Sequence, residues 1–332
     1  MNNNNKPIIF SGIKATGKMH IGNYLGAVKN WVTLQNSGQY LTIYSIVDLH
    51  SLTIDIGRAE LSGNIMDMAI DLLAAGIDPD KSMFFIQSHV KEHAELAWIL
   101  NCLLPVVELE KMTQYKDKAK QHKDNINMGL FDYPALMAAD ILLYHATVVP
   151  VGDDQDQHVE LTRKAAKKFN NRWGEYFAEP KTLLTKVPRL MALNDPSKKM
   201  SKDLGPKSYI AMNDSPEEIK DKISKAVTDT GGGKNGNGGK NLLDLFEMFV
   251  DDEQITNKFK EDYKNGDLQY AKFKPMLASV IIGALKPIQE RRRELEKNQD
   301  YVMRVLKNGA EQARAIAEET MREVRERVGL MN

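Results

Sequence analysis

Four short apolar runs, at 7–10, 40–47, 83–86 and 146–151, are each followed by residues of helical periodicity, an alternation that leaves few possible folds. A helix of about 20–34 follows the first run. After the second, Leu61, Ile65, Met68, Ala69 and Leu72 recur at helical spacing until Gly76, Asp78 and Pro79 stop them. Strands alternating with helices predict an α/β fold with a doubly wound parallel sheet. Ligands of such sheets bind beyond the strand carboxyl ends, where Lys14, Asp48, His50 and Gly152 fall. Beyond Pro188 the strand signal stops, and 216–227, 242–250, 269–286 and 301–328 read as helices. The last carries an apolar stripe of Val302, Val305, Leu306, Ala313, Ile316, Ala317 and Val324. An all-helical C-terminal domain is therefore expected, with the glycine-rich stretch 231–239 as a flexible loop within it.

The turn after the first strand carries Gly12, Lys14, Thr16, Gly17, His20, Gly22 and Asn23. A helix start presents free N–H groups and positive dipole density to an anion. A tight strand–helix connection would explain the glycines alone. Thr16, His20 and Asn23 add donors suited to phosphate, and Gly22 lets a base and ribose come close. The second unusual segment, 194–203, places Lys198, Lys199 and Lys202 within five residues after an Asp-Pro turn. Lysines are seldom buried unpaired, so the segment suits a mobile cationic clamp for a polyanion. A solvated charge run is the plain alternative, in which Met200 and Ser201 are out of place. Together the two segments suggest that both ends of a nucleoside triphosphate are held.

Lys plus Arg equals Asp plus Glu, 45 each, so any RNA contact must come from local patches. Lys207, Lys222, Lys225, Arg291, Arg292 and Arg293 are candidates, though most read as solvated helix faces. Cys102 is the only cysteine, which excludes an intramolecular disulfide and a Cys-rich zinc or iron–sulfur site. No apolar run approaches the ~18 residues of a membrane span, and residues 1–6 lack signal-peptide character. A soluble, cytoplasmic protein with no membrane partner is expected.

His20-Ile21-Gly22-Asn23 and Lys199-Met200-Ser201-Lys202-Asp203 resemble the HIGH and KMSKS motifs of class I aminoacyl-tRNA synthetases. Residues 137–144 and 149–163 narrow the match, the second running through Val149, Val151, Gly152, Asp154, Gln155, His158, Glu160 and Arg163. From about Ile8 to the C-terminus the chain resembles bacterial-type tryptophanyl-tRNA synthetases. That resemblance implies a Rossmann-like catalytic domain at 1–188 and a mobile lysine loop at 189–206. A helical anticodon-binding domain at 207–298 and a C-terminal helix at 299–332 follow from it too. The implied activity is ATP-dependent ligation of L-tryptophan to tRNA(Trp) through a tryptophanyl-adenylate, releasing AMP and pyrophosphate. Mg²⁺ would be held mainly by the ATP phosphates, with no protein metal site, and the enzyme would be a homodimer formed through the Rossmann-like domain.

The same resemblance assigns catalysis to Lys199, Lys202, Ser201 and Lys14. Thr16, Gly17, His20, Gly22, Asn23, Gly152, Asp154 and Met200 would join the lysines and Ser201 around ATP. Phe10, Met137, Ile141, Val149 and Val151 would wall the tryptophan site, with His50, Tyr133, Asp140 and Gln155 as its polar members. Asp140 has two open readings. It shares one face of a helix at 134–144 with Met137, Ile141 and Tyr144, where a carboxylate is costly unless paired. Either a buried salt bridge holds it, or it accepts the indole N–H, which is donor only. His158 and Glu160 read as helix-start residues. Thr113, Gln114 and Lys118 lie near the substrate by resemblance but read equally as surface.

Two positions depart from the family pattern. Asp203 stands where Ser or Thr is usual, and Lys14 where bacterial relatives commonly carry Gln. Lys14 is expected to pair with the tryptophan carboxylate or the α-phosphate and to change sensitivity to tryptophan-mimicking inhibitors. A tyrosyl enzyme of the same class, a small adenylyltransferase and a non-catalytic tryptophan- or RNA-binding paralogue are the rival readings.

Overall fold

The computed structural model describes residues 6–115, 126–152, 156–184, 190–228, 237–250 and 252–331. Contacts divide the chain into two compact units, one of Met1–Gly17, Asn30–Thr185 and Asn298–Asn332, the other of Lys18–Lys29 and Lys186–Lys297.

The first unit is built on β1 (Ile8–Ile13), β2 (Leu41–Ile46), β3 (Ser82–Ile86), β4 (Val148–Val151) and β5 (Lys181–Leu184). All pairings are parallel, in the order β3-β2-β1-β4-β5. Chain order reverses between β1 and β4, the switch point where such sheets open a crevice. The doubly wound expectation therefore holds, with β5 added. That strand is four residues long, begins with Lys and carries no alternation, so its sequence gave no signal.

The helical segment after β1 is not uniform. α1 (Ile21–Asn23) runs into a π-turn at Tyr24–Val28 and then α2 (Lys29–Ser37). α3 (Asp48–Ser51) follows β2, and α4 (Arg58–Ala74) leads toward β3. After a 3₁₀ turn at Gln87–His89 come α5 (Glu92–Asn101) and α6 (Val106–Glu110). α7 (Met128–Leu142) starts six residues before the expected position, with Asn127 Oδ1 accepting from the Leu130 amide at 2.9 Å. Pro134 therefore lies inside the helix, where one backbone hydrogen bond is lost. Burial of Leu130, Tyr133, Ala135, Ala138 and Ala139 offsets it. α8 (Asp156–Trp173) packs on α7.

The second unit holds α9 (Pro216–Lys225), α10 (Asn237–Phe249), α11 (Glu253–Asn265) and α12 (Tyr270–Glu296). α10 begins inside the stretch read as a flexible loop, which corrects that expectation for Asn237, Gly238 and Gly239. A Cβ on Gly238 would lie 1.7 Å from the Thr228 carbonyl oxygen, and one on Gly239 2.2 Å from the Tyr270 hydroxyl. Those glycines serve close packing. α12 continues through Pro275 and Pro287, ten residues past its expected end at 286. The unit's core includes Phe246, Phe259 and Phe273, with ring centroids 5.0–5.4 Å apart.

α13 (Gln299–Val328) returns to the first unit and packs on β3 and α5. Ala310, Ala313, Ala317, Met321 and Val324 join the sheet's core. Thr320 Oγ1 donates to the Leu143 carbonyl at 2.8 Å, and Arg325 makes two bonds to Glu95 at 2.7 and 2.5 Å. At the closest approach a Cβ on Gly309 would sit 2.0 Å from the Phe84 carbonyl oxygen. Because backbone of a paired strand cannot yield, Gly309→Ala should destabilise the protein by about 2 kcal/mol or more. Urea unfolding of the variant checks this, and an unchanged midpoint would refute the tight packing.

Candidate active site

In the second unit, His20 caps α1: its Nδ1 accepts from the Gly22 amide at 3.1 Å, and Asn23 Oδ1 accepts from the His20 amide at 3.2 Å. A Cβ on Gly22 would lie 2.9 Å from the imidazole and 3.5 Å from Met200 Sδ. The glycine thus lets the His20 ring fold back over its own helix start. Burial first, then the positive charges of Lys202 and Lys199, lower the His20 pKa from 6.5 to about 4. At neutral pH the ring is uncharged, and with Nδ1 accepting, Nε2 carries the proton. The two distant segments of the sequence therefore meet, as their joint reading requires.

The lysine segment is built as a hairpin. Ala192 N–H donates to Lys198 O at 2.8 Å and Met200 N–H to Leu190 O at 3.0 Å. The Asn241 side chain brackets the Met191 backbone with two 3.0 Å bonds, and Ser208 Oγ donates to Ser201 O at 2.7 Å. Met200 is 4% exposed. Its place among lysines is thus explained: it is the segment's apolar anchor.

In the first unit, Asp140 is 1% exposed. Its Oδ2 pairs with His50 Nε2 at 2.8 Å; its Oδ1 accepts from Gln87 Nε2 and pairs with His93 Nδ1, both at 2.6 Å. Burial alone would raise its pKa, but the hydrogen bonds from His50 and His93 outweigh that and hold the carboxyl well below the usual range. His93 Nε2 meets the Tyr144 hydroxyl at 2.7 Å, and burial pushes Tyr144 upward, so the phenol keeps its proton. His93 and Gln87 were missed from the sequence. Local pattern cannot say that they face a residue 47 and 53 positions away.

Lys14 Nζ donates to Thr53 Oγ1 at 3.3 Å and lies 5.5 Å above the Tyr133 ring. The Ala15 amide donates to Ser51 Oγ at 3.2 Å, which fixes the turn. Tyr133 Oη bonds to His158 Nε2 at 2.9 Å, so both are buried partners and His158 does more than begin a helix. Among the expected wall residues, Phe10, Ile141 and Val149 are sealed in the core, with Phe10 stacked on Tyr144 at 5.6 Å. Met137, Val151 and Gly152 stay partly exposed, as do Thr16, Gly17, Ser201 and Lys202. Thr113 pairs through its amide and hydroxyl with Gln157 Oε1 at 3.0 and 2.9 Å. Lys118, Asp154, Gln155 and the Asp203 side chain lie outside the described residues. Of the cations considered for RNA, Lys222 pairs with Asp214, Lys225 with Asp221, and buried Arg292 with Glu296. Lys207, Arg291 and Arg293 are exposed.

A parallel sheet with this strand order, together with a neutral histidine beside two lysines at a helix start, defines a nucleotide-binding enzyme of the doubly wound class. The model of the tRNA synthetases class I (W and Y) matches residues 1–286, and the chain belongs to that family. It is 48% identical to a tryptophan–tRNA ligase of Wolinella succinogenes, over 98% of this chain and 99% of that one. The tryptophanyl-tRNA synthetase of Campylobacter jejuni, complexed with ADP and tryptophan, superposes with a TM-score of 0.84. It is 36% identical, with 97% of this chain and 100% of that one covered. The Mycoplasma pneumoniae enzyme gives 0.86 at 32% identity, covering 98% and 99%.

The His20 shift has a consequence with a definite sign. The unfolded chain binds a proton at His20 near pH 6.5, while the native ring stays neutral until about pH 4. Stability from this group is therefore fully present above pH 6.5 and is lost as pH falls toward 4. In ¹H–¹⁵N spectra the His20 ring should show neutral shifts at pH 5.5; a midpoint near 6.5 would contradict the geometry.

Proposed function

We propose that this chain attaches L-tryptophan to tRNA(Trp) in two ATP-dependent steps, and that the residues described above carry the reaction. The observation behind this reading is the meeting of His20 with Lys199 and Lys202 at one helix start. In the first step a carboxylate oxygen of tryptophan attacks the α-phosphorus of ATP. The bond from that phosphorus to the bridging oxygen breaks, and pyrophosphate leaves with the negative charge. Lys199 and Lys202 stabilise that charge as it builds, where fixed cations lower a barrier most. His20 Nε2–H, the Asn23 amide and Ser201 donate to phosphate oxygens, and Thr16 and Gly17 form the preceding turn. In the second step a terminal ribose hydroxyl of the tRNA attacks the acyl carbon, the bond from that carbon to the phosphate oxygen breaks, and AMP leaves with its phosphate taking up the hydroxyl proton. Positioning and charge stabilisation supply the rate.

The amino-acid site is proposed around Asp140, with His50, Tyr133, Met137 and Val151 near it and Lys14 beside the carboxylate. Phe10, Ile141 and Val149 support it from the core. Among the described residues no three His, Cys, Asp or Glu side chains gather into a metal-binding group. The cations around His20 do not suit a divalent ion, so Mg²⁺ fits as a companion of the ATP phosphates, neutralising their charge. No described helix is long and apolar enough to cross a membrane. We place the enzyme in the cytoplasm with its tRNA, whose contacts are proposed at exposed Lys207, Arg291 and Arg293.

A homodimer formed through the first unit completes the reading. Trp98, Val106, Val107 and Met128 are 70%, 61%, 49% and 75% exposed on α5, α6 and α7, large apolar side chains that water leaves uncovered. Trp98→Glu should convert a dimer into a monomer in sedimentation velocity, and a native monomer would end this part of the proposal.

ATP–pyrophosphate exchange tests the activity. Exchange should depend on tryptophan and be negligible with tyrosine; the reverse preference would revive the tyrosyl rival, and no exchange the non-catalytic one. Lys199→Ala and Lys202→Ala should each lower kcat about 10²-fold with little change in the KM for tryptophan.

A further inference from the structure

We infer that His93 and Gln87 are positioning residues for amino-acid recognition: they occupy Asp140 Oδ1 and leave Oδ2, held on one side by His50, to accept one N–H donor. The inference rests on the proposed role of Asp140 at the indole. An aspartate carboxyl turns easily, because its last torsion has broad, roughly two-fold minima. Its direction must come from its partners. Oδ1 takes two short bonds at 2.6 Å, which use both of its lone pairs, whereas His50 is the one described partner of Oδ2, at 2.8 Å.

Each positioning group is itself oriented. Gln87, fully buried, accepts from the Leu49 amide through Oε1 at 3.2 Å, so its NH₂ end must face Asp140. Leu49 immediately precedes His50, so one short segment sets both sides of the carboxylate. An ionised Asp140 has no proton to give, so His93 Nδ1 must carry the hydrogen of their bond. The Tyr144 hydroxyl at Nε2 and the tilted ring contact of 5.4 Å hold the imidazole in that orientation. The outcome favours a ligand that only donates. An indole N–H satisfies one lone pair and asks nothing back; a phenol hydroxyl also needs a donor of its own.

A merely structural network would lose stability when cut, so the test reads substrate parameters as well. The full-length enzyme is compared with His93→Phe, which keeps a ring but no donor, and with His93→Asn, which keeps an N–H near Nδ1. Gln87→Met serves as an independent cut should the Phe variant fail to fold. Hydrogen bonds to charged groups predict that His93→Phe or Gln87→Met raises the KM for tryptophan about tenfold or more. The KM for ATP and kcat in pyrophosphate exchange should stay within about twofold, and His93→Asn should recover most of the loss. Discrimination against tyrosine should fall in the same order. A folded variant with native KM for tryptophan, or one in which both substrate KM values rise together, overturns the inference. Asp140→Asn separates the levels: if it leaves the tryptophan KM unchanged, the reading of Asp140 fails and this inference with it. If it raises that KM while the other variants do not, only the positioning role fails.

Discussion

A carboxylate taken out of water costs several kcal/mol unless hydrogen bonds replace its hydration, and Asp140 obtains them from His50, Gln87 and His93. Those donors stand on α3, on the turn after β3 and on α5, while Asp140 is on α7. Four elements must therefore arrive together for any one of the bonds to be worth making. Removing a single donor leaves a buried charge undercompensated, which is why such networks are sensitive to small changes. The same arrangement fixes the direction of the carboxylate, so little freedom is left to its oxygens.

The second unit solves a different problem, that of holding like charges near one another. Lys199 and Lys202 cannot be buried, yet a floating pair would be poorly aimed. Met200 between them inserts beneath the His20 turn while the backbone is tied to Leu190, Met191 and Ser208. Apolar burial fixes the segment and the ammonium groups remain at its surface. Burial first, and then their charge, keeps His20 neutral, so the ring does not add a third cation to the cluster.

Much of this was legible from residue order. The parallel sheet followed from strand–helix alternation, and the glycine-rich turn and the lysine segment stood out as two unusual stretches that the structure brings near one another. Asp140 stood out as a carboxylate on an apolar face, and the buried-pair reading of it describes the observed structure. What escaped had no local signature. β5 is short and starts with a charge; α11 fully buries only Thr256, and its sparse apolar residues, Ile255, Phe259 and Tyr263, stand among charges. Pro134 and Pro287 suggested helix ends that tertiary packing overrides. Gly238 and Gly239 suggested looseness, whereas they allow close contact with Thr228 and Tyr270. His93 and Gln87 became meaningful only once the fold brought them to Asp140.

The return of α13 to the sheet imposes an order on biosynthesis. β3 is an edge strand, and an uncovered edge is a template for unwanted pairing. The helix that covers it is translated after the entire second unit, so the sheet waits on the ribosome with one flank open. Closure of that flank is thus a late step in the chain's synthesis, and nascent chains depend on speed or on chaperones to pass through that interval.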